Sequence, residues 1–436
     1  MARAKTTANG VLNRITSSYL LGREFNGTLI TNLSSDNEKT RSILRNLILD
    51  EKVVLNFGDR HPNPHILALE PEPREQQLEK LDRLVFEPPQ YENYGPLRLQ
   101  INSINCCAYP STKHLQTVVD PAQYHDKPYT LLLALGEPQL AFRSFNLRIL
   151  EFYRNEPRYS YETDDIHGHI STRGENDLEP ADDTFLETFG FAYSKDIKKR
   201  YVAVFLRYLS GLTPEHQQRW KLEQVNGEIL LHPEYSRTTA GHWPTRESIF
   251  IAFLTELSTI NQMCRAIGWQ PLFRKEFQRH EKPRDFGFLI RPTAKEFNDF
   301  VLSLDKLLTE NINKNFFEGK VPLTAEENLA NGKVKVRDKG TIALLEEWIK
   351  QSFRTSDPKP IDEAIAAIKE ARSLRQRPAH KLEDNSFDQK YFQRQRDLIM
   401  STYAAVRLLR LVFERHPNAS GVDVPKWLRE GEIWSY

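Results

Sequence analysis

Apolar residues recur at helical spacing through the last part of the chain, and in short runs or alternation before it. From Thr245 onward, Ile249, Phe253, Leu257, Ile260 and Cys264 step along one helix face, and Gly268 supplies a stop. Thr293 and Glu296 form a capping box that opens a helix with the stripe Phe297, Val301, Leu304, Leu308 and Ile312. A polar stretch over 318–340 precedes a short helix over 341–353. The next helix runs over 361–376 with Ile361, Ile365, Ile368 and Ala371 inward. The last one starts at Ser386, with Gln389 at capping-box spacing, and runs to His416. Its stripe is Tyr391, Leu398, Thr402, Val406, Leu409 and Phe413. Four amphipathic helices of these lengths predict a helical bundle over 245–436.

The first 70 residues predict a compact unit of another kind. Ser35 and Glu38 fit a capping box ahead of a helix with Ile43, Leu44, Leu47 and Ile48 on one side. A β-branched run over 53–57 follows, and Gly58-Asp59 turns the chain toward a second apolar stretch over 65–69. Helix then hairpin is the order of a winged-helix unit, which would hold DNA through Arg41 and Arg45, four apart on the exposed face. A small helix and hairpin that merely packs on its neighbour fits the same pattern. Residues 71–98, rich in Pro and Glu, predict a linker with one short helix. Over 99–240 the pattern is mixed: strand-length runs at 129–135 and 201–206, helical spacing at 145–153, and a polar, acidic loop over 171–184. Thr213 caps a helix that begins at Pro214. The expected fold class is therefore α+β and multi-domain, with a winged-helix-like start, a mixed α+β middle domain and an all-α C-terminal bundle.

Charge narrows the choice of partners. Lys and Arg total 60 against 59 Asp and Glu, so the net charge of +1 exerts no global pull on nucleic acid or membrane, and a nucleic-acid surface must be a local patch. One such surplus exists: residues 369–415 hold 11 Lys or Arg and 6 Asp or Glu. Tyr391, Phe392 and Tyr403 lie within it and are candidates either for stacking on unpaired bases or for the bundle core. Three cysteines, two of them adjacent, make no disulfide framework and point to a reducing compartment. No signal-peptide-like run opens the sequence and no stretch is long and apolar enough for a membrane span, so a cytoplasmic protein is expected.

Several chemistries lack their motif. No Gly-rich phosphate loop, dinucleotide fingerprint, His-Glu-x-x-His, Cys-x-x-Cys or Gly-x-Ser-x-Gly occurs, and no cofactor is expected. Asp164-Asp165-Ile166-His167-Gly168-His169 would place both His on one face if extended, whereas Gly168 suggests a turn; two ligands do not make a metal site. Vicinal Cys106 and Cys107 are either an oxidant sensor or buried thiols.

The segment between the two last long helices carries the richest constellation. Arg375, four residues after Ala371, falls on the inward side of its helix, where a charge needs a partner or a task. His380 follows past Pro378, just before the final helix. A neutral imidazole can take the proton of a ribose 2′-hydroxyl and return one to the leaving oxygen, while an Arg stabilises the charge growing on the phosphate. Equally, Arg375 fits as the ion-pair partner of an acid on a neighbouring helix. An Arg followed by a His after four to six residues recurs elsewhere, as at Arg237 with His242, Arg274 with His280 and Arg410 with His416, so the bundle context is what singles out Arg375 and His380.

Arg375-Gln-Arg-Pro-Ala-His380, late in a helical bundle, resembles the Arg-x(4–6)-His motif of HEPN-domain RNases over residues 290–416. The resemblance implies a metal-independent endoribonuclease acting as a homodimer, in toxin–antitoxin or antiviral-defence settings. It implies Arg375 and His380 as catalytic residues with Gln376 in support. Arg377 and Lys381, within and just after the motif, and Arg394 and Arg396, on the final helix, are candidates for contacts to RNA. Pro378 departs from the family pattern by breaking the helix inside the motif. The alternative expectation is a non-catalytic nucleic-acid-binding or regulatory subunit of a larger assembly.

Overall fold

The computed structural model describes residues 7–435 apart from 23, 87–89, 95–96, 101–104, 175–177, 197–198, 240, 329–333, 354–355 and 377–383. The chain is a mixed α and β protein that divides into two compact units, Met1–Thr163 with His167–Pro244, and Asp164–Ile166 with Thr245–Tyr436. Among the described residues no helix is long and apolar enough to cross a membrane.

The first unit opens with helices Ala8–Leu21 and Asn37–Leu49, packed on a three-stranded sheet. Its central strand is Cys106–Pro110, flanked by Thr28–Leu29 and Val53–Phe57, both antiparallel to it. The expected hairpin to 65–69 is absent. Pro62 and Pro64 remove donors that a ladder would need, and the Asn56 amide instead donates to the carbonyls of Pro64 and Ile66 at 2.9 and 2.8 Å. The wholly buried run at 106–110 takes the pairing from across the expected linker, so residues 71–98 lie between two strands of one sheet. That stretch contains helix Arg74–Arg83 and the hairpin Tyr91–Tyr94 with Leu97–Gln100. The cap of the second helix is Asp36, which accepts from Lys39 N at 3.0 Å, one place after the expected Ser35.

A seven-stranded antiparallel sheet completes this unit, with Phe185–Ser194 and Arg200–Phe205 at its centre. The second of these matches the strand expected over 201–206. The run at 129–135, expected as a strand, is helix Pro128–Ala134. Pro128 presets the first turn, and Gln217 Oε1 accepts from Tyr129 N at 3.1 Å and Thr130 N at 3.3 Å, satisfying donors that no turn can. Gly168 lies inside strand His167–Thr172, not in a turn; a Cβ there would meet the Glu162 carbonyl at 2.3 Å and the Phe189 ring at 2.5 Å.

The second unit is helical. Ile249–Ile267, Ala294–Leu307, Thr341–Ser352, Lys359–Gln376 and Lys390–Glu414 bury their stripes in one core. Ile249, Phe253, Leu257, Ile260 and Cys264 are buried, and Gly268 ends that helix at φ 85°. Phe297, Val301, Leu304, Leu308 and Ile312 are buried, and Thr293 caps this helix by accepting from Glu296 N at 3.3 Å. Glu296 Oε2 accepts from Ile290 N at 2.9 Å and Arg291 N at 3.2 Å, so the reciprocal half of the expected capping box is replaced by contacts to the preceding loop. The last helix starts at Lys390 rather than Ser386, because the Ser386 carbonyl is committed to Ala294 N at 2.8 Å while Asp388 accepts from Lys390 N at 2.9 Å.

Two charges sit where the stripes call for apolar residues. Glu256, three residues after Phe253, meets Arg410, four after Val406, with Nε 2.6 Å from Oε2; both side chains are sealed from water, at 0% and 1% exposure. Arg410 Nη1 also donates to Glu414 at 2.7 Å. Burial pushes the Glu256 carboxyl up to about 7 against the pull of the neighbouring Arg410, with Arg407 and Tyr403 also facing it. Because that value lies above the ordinary 4.5, the folded state holds the extra proton. This carboxyl's contribution to stability is complete below about pH 4.5 and is lost as the pH rises to about 7. Glu256→Gln is expected to flatten that part of the stability–pH curve in urea unfolding, and an unchanged slope there would contradict the assignment. Arg410→Met, which removes the cation beside this carboxyl and drives its titration further up, is expected to cost about 3–5 kcal/mol above pH 7, most of it restored in Glu256→Leu/Arg410→Met.

Candidate functional site

Helix Lys359–Gln376 buries Ala364, Ile365, Ile368 and Ala371, which fixes its rotation about its axis. Its last turn therefore presents Arg372 and Arg375 to the C-terminal end of helix Ala294–Leu307 and the turn beyond it. There Asp305 is fully buried, and Thr309 Oγ1 donates to its Oδ1. Its Oδ2 lies 2.7 Å from Arg372 Nη1 and 3.6 Å from Arg375 Nε. Glu310, in the turn that follows, places Oε1 3.1 Å from Arg372 Nη1 and 3.4 Å from Arg375 Nη2. Both arginine side chains remain about one-third exposed, at 33% and 34%.

Arg375 is thus tethered at the rim of the bundle, on its flank rather than in its interior. Arg372 takes the short contacts, and Arg375 shares the same two acids at longer range. A planar guanidinium held this way is oriented by a rigid element and still open to solvent, as bidentate recognition of a phosphate requires. Gln376 is exposed on the final residue of the helix. His380, Arg377 and Lys381 lie outside the described residues. Arg394 stands over the rings of Phe297 and Tyr391 at 4.6 and 5.2 Å, and Arg396 is exposed. Tyr403 is buried, and Tyr391 packs on Phe297 at 5.3 Å, so these two aromatics serve the bundle core rather than an open stacking platform.

The N-terminal arginines have structural partners. Arg41 donates to the Leu81 carbonyl and, at 2.8 Å, to that of Leu84, closing the C-terminal end of helix Arg74–Arg83, and it lies over the Phe86 ring. Arg45 Nη1 donates to both oxygens of Asp82 at 2.8 Å. The expected groove-facing pair is therefore engaged in holding the helix between strands Val53–Phe57 and Cys106–Pro110, and the helix-then-hairpin frame it needed is missing.

Other candidates resolve in the same way. Asp165 lies 3.2 Å from Lys282 Nζ, while His167 and His169 lie on strand His167–Thr172. Among the described residues no group of three or more His, Cys, Asp or Glu is placed to hold a metal ion. Cys106 and Cys107 are buried, and burial pushes both thiols up, away from the reactive thiolate.

Asp305, Glu310 and Arg372 did not stand out in the sequence. The signal for Asp305 is its register: it lies four residues after Val301 and eight after Phe297, an acid at a stripe position. Comparison with family models, with curated proteins and with solved structures finds no match to the chain.

Asp305→Asn removes the charge that holds both guanidinium groups. It is expected to lower stability by about 1–3 kcal/mol in urea unfolding, since the arginines keep access to water while the buried end loses its charge-assisted partners. An unchanged unfolding midpoint would show that the acid does not hold them.

Proposed function

We propose that the second unit is a metal-independent endoribonuclease of HEPN type, working in the cytoplasm as a homodimer, with Arg375 and His380 as its catalytic pair. The observation that carries this proposal is the placement of Arg375. Its side chain extends from the last turn of a core-packed helix, about one-third open to solvent, with the guanidinium steadied by Asp305 and Glu310. His380 follows five residues later in the sequence. In this mechanism His380 takes the proton of a ribose 2′-hydroxyl, and the oxygen attacks the adjacent phosphorus. Arg375 stabilises the charge on the phosphorane, and His380 returns a proton to the departing 5′-oxygen. The products are a 2′,3′-cyclic phosphate and a free 5′-hydroxyl. Gln376, exposed beside Arg375, supports the strand, and Arg394 and Arg396 extend a basic track along the final helix. A toxin or antiviral-defence role accords with such an activity.

A second function is favoured by one observation, the ion pairs of Arg375 with Asp305 and Glu310, which suit a structural arginine. On that alternative the protein is a non-catalytic nucleic-acid-binding or regulatory subunit of a larger assembly.

Incubation of the purified protein with total RNA in EDTA separates them. Cleavage leaving cyclic-phosphate ends, reduced about 10²–10⁴-fold in His380→Ala and in Arg375→Ala, is the expected outcome. Cleavage that survives both substitutions would end the proposed mechanism, and RNA binding without any product would favour the second function.

A further inference from the structure

Glu310 contacts both arginines through one oxygen. Its Oε1 lies 3.1 Å from Arg372 Nη1 and 3.4 Å from Arg375 Nη2, the position that a non-bridging phosphate oxygen takes between two guanidinium groups. The two acids of this cluster differ in kind. Asp305 is fully buried and fixed by Thr309, so it cannot leave without stranding a charge; Glu310 sits in a turn with its side chain 38% exposed. Exposed ion pairs of this sort hold weakly, whereas a phosphodiester offers two charge-assisted acceptors to the same donors. With Glu310 swung into solvent, the cluster keeps two guanidinium groups against one carboxylate, a net positive charge on a rigid helix end. Both arginine side chains keep about one-third of their surface open to solvent, 33% for Arg372 and 34% for Arg375, so a ligand can reach them.

We infer that Arg372 and Arg375 together form a phosphodiester subsite for an RNA strand, that Glu310 occupies it in the free protein, and that the strand displaces Glu310 on binding. The inference rests on the RNA function proposed above for the identity of the anion, and it adds Arg372 as a binding residue and Glu310 as an internal competitor. Asp305 stays in place throughout and keeps the two guanidinium groups aligned.

The test uses the full chain and a labelled 2′-O-methyl oligouridine, which lacks the attacking hydroxyl and so reports binding apart from cleavage. Anisotropy over a salt series is expected to show Glu310→Gln binding about three- to tenfold tighter than the wild type. Arg372→Gln is expected to bind correspondingly weaker with a salt slope reduced by about one, and Arg372→Lys, which keeps the charge and guards against a folding artefact, to retain the slope. Equal or weaker binding by Glu310→Gln, with its unfolding midpoint unchanged, would overturn the inference while leaving any RNA cleavage intact. The expected shifts without cleavage of natural RNA would uphold the subsite and remove the catalytic proposal. No binding by any variant would overturn both.

Discussion

The second unit is organised around charges that its own core has to accommodate. Glu256 and Arg410 are both sealed from water and joined at 2.6 Å, and they belong to its two longest helices, Ile249–Ile267 and Lys390–Glu414. Leucine-rich faces tolerate sliding by a turn with modest loss, but a slip here would leave a buried carboxylate with no cation. The pair therefore fixes the register of the two helices more strictly than the apolar stripes do. Around it the remaining helices supply Phe297, Val301, Trp348 and Ile368 to one continuous core.

The same principle operates at the edge of that core with a different result. Asp305 is as buried as Glu256, yet its partners Arg372 and Arg375 reach it from the rim and stay about one-third exposed. Burial of the acid supplies rigidity, and exposure of the arginines leaves their charge available to a ligand. Packing at Ala364, Ile365, Ile368 and Ala371 sets the rotation of the helix that carries them, so core residues decide where the two guanidinium groups point. That links the stripe in the sequence to the geometry of the candidate site.

Local patterns were legible in the sequence, and long-range ones were not. The stripes of the helical unit and the caps at Thr293 and Gly268 follow from spacing and turn chemistry within a few residues. Strand Val53–Phe57 was equally legible, but its partner, Cys106–Pro110, lies some fifty residues on and announces itself by no periodicity. The helix at 128–134 was misjudged because a seven-residue apolar run has no period of its own, and the group that settles it, Gln217, comes from another helix. Arg41 and Arg45 were visible as exposed charges, whereas their acceptors at Leu81, Asp82 and Leu84 were not. At the candidate site Arg375 was legible, and its buried acid was hidden in the stripe: Asp305, like Glu256 and Arg410 in the core, is a charge at a stripe position that needs a partner from a distant segment.

Geometry also separates motif matches that the sequence leaves equal. Arg410 and His416 have the Arg-x(4–6)-His spacing and lie in the same helical unit as Arg375 and His380. Arg410, however, is 1% exposed and paired with Glu256 and Glu414, so no phosphate can reach it without opening the core. His416 packs against Trp269 at 5.5 Å, and its Nδ1 accepts from Asn418 N at 3.2 Å, which makes it a cap for the turn that follows. Arg375 has the opposite character: its pairing distances of 3.4 and 3.6 Å are those of a tether, and a third of its surface faces water. Two matches to the same motif therefore yield a core clamp at one end of the final helix and a solvent-facing cation before its other end. The difference lies in which side chain the stripe draws inward, and it makes Arg375 the arginine whose chemistry remains available.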